Sequence, residues 1–157
     1  MPSAKVVPFE RKKFDKGLYE KYHNHGVQVA CHFLSQSGYE IVDTRDVAYG
    51  SHDFIVSKDG VQYKVEVEVT EKWKTLAFPY PMMSVPYKKV KNSQADLYVR
   101  TNPSGNALFF MPMKDIAEKG EVICKNTIYT TNEPFYNVDV STLTLYTLQD
   151  GEWGYDD

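Results

Sequence analysis

Cysteine is scarce in this chain: its 157 residues hold only Cys31 and Cys124. Two such distant cysteines exclude a disulfide framework and a Cys-x-x-Cys metal clip. No secretory leader pattern precedes them, so a reducing, cytoplasmic setting with both thiols buried is expected. Long apolar runs are missing as well. Nothing approaches the roughly 20 residues of a membrane span, so no membrane partner is expected. A basic surplus is also lacking. The formal net charge of −3 gives no global attraction to a phosphate backbone, and any such contact must come from local basic patches. There is no internal repeat or low-complexity segment. What is present, 42% apolar residues with 12 Tyr and 8 Phe, suits a single domain over residues 1–157. The aromatics are assigned first to a β-rich core and only second to a nucleic-acid surface.

The strongest signal lies between Gly50 and Val69. Asp59-Gly60 is a favoured two-residue hairpin turn, flanked by β-branched and aromatic runs. If those two residues alone form the loop, Lys58 faces Val61, Asp53 faces Glu66 and Ser51 faces Glu68. The period of two then puts all four of Ser51, Asp53, Glu66 and Glu68 on one face. Directly opposed residues have Cβ atoms about 4.5–5.5 Å apart, close enough for two carboxylates to share a divalent cation. The plain alternative for Glu-x-Glu on a strand is a solvated face. Asp is a poor strand former, however, and like charges set directly across a ladder destabilise it by roughly 0.2–1 kcal/mol per pair. A bound cation is therefore expected to make the three carboxylates tolerable.

These residues resemble the PD-(D/E)XK nuclease superfamily. Its pattern is a helix, a strand carrying Asp after a small Gly-containing segment, a hairpin, and a strand reading Glu-x-Lys among apolar residues. Gly50-Ser51-His52-Asp53 is similar to the first half and Val65-Glu66-Val67-Glu68-Val69 to the second. Glu68 stands where the family has Lys, as in a subset of type II restriction enzymes. The resemblance spans roughly residues 16–113. It implies an α/β (α+β) fold with a central mixed sheet of about four to five strands flanked by helices, a restriction-endonuclease-like core.

The activity so implied is DNA phosphodiester hydrolysis dependent on Mg²⁺ or Mn²⁺, restriction-like or structure-selective, by a possible homodimer. The metal would be held by Asp53, Glu66 and the carbonyl of Val67, with Glu68 as a further ligand or as general base. Glu20 resembles the acidic residue that many members carry on the first helix, where it would orient metal-bound water. Lys72 or Lys89 would meet charge developing on the phosphorane. Two other readings stay open: a catalytically impaired relative that binds nucleic acid or protein, and a carboxylate-pair glycoside hydrolase.

Around this centre, residues 1–15 form an arm with Lys5, Arg11, Lys12 and Lys13, read as a solvated terminus with phosphate contact as the alternative. Leu18, Tyr22, Val29, Phe33 and Leu34 give a helical face that Ser37-Gly38 ends. His23, His25 and His32 do not share one helical face and make a poor metal cluster. A short strand is expected at Tyr39–Asp43. The strand after the hairpin is expected to run on through Trp73, keeping Lys72 on the face of Glu66. The Pro-rich passage 78–86 is expected to exclude regular structure. Pro86 opens a short helix whose Lys88, Lys89 and Lys91 form a candidate DNA-contacting patch. Strands are expected at 96–101, 107–112, 122–124, 127–131 and 143–148, with a helical turn at 115–119. Residues 150–157 read as a disordered acidic tail.

Overall fold

The computed structural model describes residues 16–43, 53–92, 94–127 and 131–156, with side chains from residue 25 onward except those of Asp43 and Asn92. Helix α1 (Lys16–Gln36) leads into β1 (Glu40–Asp43), β2 (Phe54–Lys58) and β3 (Val61–Val69). Then come β4 (Met82–Pro86), α2 (Tyr87–Asn92), β5 (Leu97–Thr101), β6 (Ala107–Pro112) and α3 (Met113–Lys119). The chain continues through β7 (Glu121–Lys125), β8 (Glu133–Asp139), a 3-10 turn (Val140–Thr142), β9 (Leu145–Gln149) and β10 (Glu152–Tyr155).

These strands form two sheets. The larger is a curled seven-stranded sheet in the order β1-β2-β3-β5-β6-β9-β10, and the smaller has the order β4-β8-β7. Only β3 and β5 run parallel; every other pair is antiparallel. α1 touches the large sheet at its centre through β3 and β5 and at both edges through β1 and β10. The sheet therefore wraps the helix. Val29, Phe33 and Leu34 of α1 pack there with Phe54, Val56, Val65, Val67, Val99 and Trp153. The opposite face carries a second core, in which Tyr98, Phe109 and Met111 meet Trp73, Met83, Val85, Tyr136 and Val138.

With 46% strand and 23% helix, the molecule is mostly β, and this corrects the expected four-to-five-stranded sheet flanked by helices. Three segments account for the difference. β4 forms inside the Pro-rich passage because Met83, Ser84 and Val85 lie between the prolines, and as an edge strand it tolerates Pro86 at its end. β8 was not expected, since Pro134, Asn137 and Asp139 are weak strand formers. Phe135, Tyr136 and Val138 nevertheless seat it between β4 and β7, and Pro134 falls where the β4 ladder has already ended.

The third segment is β10, in the supposed tail. Asp150 and Gly151 both take positive φ (52° and 78°), as Asp59 and Gly60 do (53° and 79°), which is the turn that matches strand twist. Its Trp153 is buried against Phe33 with rings at 87°. Its indole Nε1 donates to His32 Nδ1 at 2.9 Å, and its backbone exchanges two 2.8 Å bonds with the Gln36 amide. No helix among the described residues is long and apolar enough to cross a membrane.

Candidate functional site

The hairpin closes at Asp59-Gly60 with Lys58 opposite Val61 and Phe54 opposite Val65. The register ends there: the Asp53 N–H donates at 2.8 Å to the carbonyl of Val65, the residue Phe54 already faces, so the expected direct facing of Asp53 and Glu66 gives way to a bulge-like irregularity. Alternation then separates the faces of β3. Val65 and Val67 join the α1 core, while Glu66 and Glu68 turn toward α2 and the smaller sheet.

On that face the carboxyls of Asp53 and Glu66 share a hydrogen bond, and Asp53 Oδ2 accepts the Val67 N–H at 2.6 Å. Glu66 keeps only 12% of its side-chain surface. Burial, then the neighbouring Asp53, push its carboxyl up to about 8, with Lys89 opposing them. As it stands the pair holds a proton near neutrality.

Two cations close the site. Lys89 Nζ on α2 lies 3.1 Å from Glu68 Oε1 and 3.6 Å from Glu66 Oε2. The contact with Oε1 is ionic, without the alignment of a hydrogen bond. From β5, Arg100 Nη2 stands 3.4 Å from Glu68 Oε2. Burial raises the Glu68 carboxyl, yet Arg100 and Lys89 outweigh it and the net shift is downward. Burial lowers Lys89 in the same way, and Glu68 and Glu66 overcome it to hold the ammonium above its ordinary value.

Arg100 is itself fixed on every side. Nε donates to Tyr98 Oη at 2.7 Å, Nη1 to Thr70 Oγ1 at 3.1 Å and Nη2 to the Ser84 carbonyl at 2.8 Å. This arginine was not singled out from sequence. Alternation within Tyr98-Val99-Arg100 does put Tyr98 and Arg100 on one face, but only the parallel register of Glu66 with Tyr98 and Glu68 with Arg100 brings them to the acidic centre.

The other expected residues fall as follows. Asp53, Glu66, Glu68 and Lys89 come together. Lys72 is exposed in a turn, because β3 stops at Val69 and Trp73 N–H bonds back to the Thr70 carbonyl at 3.1 Å. The expected run of the strand through Trp73 is thereby corrected. Lys88 and Lys91 are exposed on α2, and Lys91 Nζ lies 5.8 Å above the Tyr87 ring. Ser51, the side chains of Glu20 and His23, and residues 1–15 lie outside what is described. Cys124 is exposed rather than buried, and Cys31 is half-buried with burial pushing its thiol up to about 11. His32 is taken by Trp153, and His25 is buried beneath the loop that carries Gly105.

The protein also brings cations of its own to these carboxylates, Lys89 to Glu66 and Glu68 and Arg100 to Glu68. Among the described residues no group of three or more His, Cys, Asp and Glu is placed to hold a metal ion, since Glu68 is turned to its cations. Asp53 and Glu66 still offer two hard oxygen donors side by side, a set that suits Mg²⁺, which is commonly bound through one or two carboxylates. No protein family, curated protein or solved structure matches the chain.

Proposed function

We propose that this chain is a metal-dependent nuclease hydrolysing DNA phosphodiester bonds, with Lys89 on α2 supplying the cation that the hairpin strand lacks at Glu68. The observation that carries this reading is the meeting of Asp53, Glu66 and Lys89 at one place on the large sheet. Bound by Asp53 and Glu66, with the Val67 carbonyl beside them, Mg²⁺ or Mn²⁺ supplies Lewis acidity toward a phosphoryl oxygen and a coordinated water. Lys89 stabilises negative charge developing on the phosphoryl group. Glu68 holds Lys89 in place and, committed to two cations, is a weaker candidate for general base. Exposed Lys88 and Lys91 add phosphate contacts that fade with salt. A cytoplasmic setting belongs to the same proposal.

The test is calorimetric titration with Mn²⁺ and cleavage of supercoiled plasmid, single strands, flaps and four-way junctions with and without EDTA. Metal binding and cleavage are expected in the parent and lost in Asp53→Asn; a variant that binds Mn²⁺ as the parent does removes the site. The second reading, a binding protein without catalysis, is favoured by the saturation of Glu68 by Arg100 and Lys89. It would be adopted if the parent binds DNA and leaves every substrate intact.

A further inference from the structure

The two sheets leave four edges, at β1, β10, β4 and β7, and among the described residues no strand pairs with any of them on its outer side. An open edge is a template for another strand, and proteins usually guard it with charge or proline. Three of the four edges are so guarded against copies of themselves. β1 carries Glu40 and Asp43 at its two ends, β10 carries only acidic charge, and β4 ends in Pro86.

β7 is different. It reads Glu121-Val122-Ile123-Cys124-Lys125, with every residue exposed except the half-exposed Ile123, and Val122 is 53% exposed. Lys125 has neutral contacts in Ser84 Oγ at 3.2 Å and the Phe135 ring at 4.5 Å.

We infer that β7 is a self-association edge, pairing antiparallel with β7 of a second copy of this chain to join the two small sheets into one of six strands. The register follows from parity. A two-fold axis perpendicular to the sheet keeps the faces of the two copies aligned, so residues directly opposed must share parity and one residue must face itself. With Ile123 on the axis, Glu121 faces the partner's Lys125 twice over, and exposed Val122 faces the partner's Cys124. Centring on Val122 sets Glu121 against Ile123. Centring on Cys124 sets Lys125 against Ile123. Only the Ile123 register pairs opposite charges and apolar surface together. The occupant is thus a second copy, chosen by the antisymmetric charge of the strand itself.

This inference does not rest on the proposed chemistry. Five residues make a small interface, at the weak end for specific association, so sedimentation equilibrium should be run on the full chain up to about 1 mM. A reversible dimer is expected, weakened about tenfold in Glu121→Lys and restored in Glu121→Lys with Lys125→Glu, where the charges are exchanged. Val122→Cys should give a cross-linked dimer with the partner's Cys124 under mild oxidation. The parent should not, because its two Cys124 would stand about 8 Å apart at Cα, beyond the ~7 Å that a disulfide spans. Circular dichroism checks that each variant folds. A parent that stays monomeric at 1 mM overturns the inference, including one whose β7 amides resist hydrogen exchange because the chain covers its own edge. So does equal association of Glu121→Lys and parent, or a parent dimer linked through Cys124.

Discussion

Lys89 on α2 stands 3.1 Å from Glu68 on β3, and this contact ties the short helix after β4 to the hairpin that carries the carboxylates. The same ammonium reaches Glu66 at 3.6 Å. Lys89→Met should therefore lower stability by about 1–2 kcal/mol, less than the loss of a fully buried partner because a third of the lysine side chain remains in water and Glu68 keeps Arg100. Urea unfolding measures it. A midpoint equal to the parent's would show that the pair contributes nothing net.

Glu66 sets a pH dependence with a definite sign. Its folded-state carboxyl is held at about 8 by burial and by Asp53, against an ordinary value of 4.5. Between these values the native state binds a proton that the unfolded chain has released, so stability falls as pH rises through the window. Glu66→Gln removes that dependence. The variant should gain on the parent as pH rises from 4.5 to 8, with the largest gap above 8. Parallel curves for the two proteins would show that Glu66 titrates normally.

What could be read in advance was what is local. Asp59-Gly60 specifies its own turn, and the period of two then fixes which residues of β2 and β3 share a face. Arg100 reaches the site through a parallel pairing with a strand about 30 positions away, and no nearest-neighbour pattern carries that register. β10 failed for a different reason. Asp150-Gly151 is the same turn signal as Asp59-Gly60, but the strand after it is short, contains Gly154 and ends in acid. The burial of Trp153 on α1 comes from tertiary packing that outweighs its weak local propensity.

Trp153 is where that packing can be weighed. Trp153→Ala removes a nearly buried indole from Phe33 and leaves His32 Nδ1 without its donor. A cost of about 3–5 kcal/mol is expected, with β10 fraying as its hold on Gln36 loosens. Denaturant midpoints and hydrogen exchange at residues 145–155 check it. A loss under about 1 kcal/mol would mean that the terminal strand is not part of the core.

Placing Lys at position 68, as in the nuclease pattern that the hairpin resembles, is the variant that most sharply separates sequence pattern from structure. The pattern alone favours Glu68→Lys as a repair. The site opposes it, because Arg100, 3.4 Å from the Glu68 carboxylate, is anchored by Tyr98, Thr70 and Ser84 and cannot withdraw. A third cation, at position 68, would face this guanidinium and Lys89 without the Glu68 carboxylate between them, and breaking such a pair costs about 3–5 kcal/mol when buried. Glu68→Gln keeps the shape and a carbonyl acceptor and should cost less. The expected order of urea midpoints is parent, Glu68→Gln, then Glu68→Lys, with Arg100→Met recovering part of the loss when combined with Glu68→Lys. Equal midpoints for Glu68→Lys and Glu68→Gln would show that Arg100 can swing away, and the strand lysine would then be compatible with this fold after all.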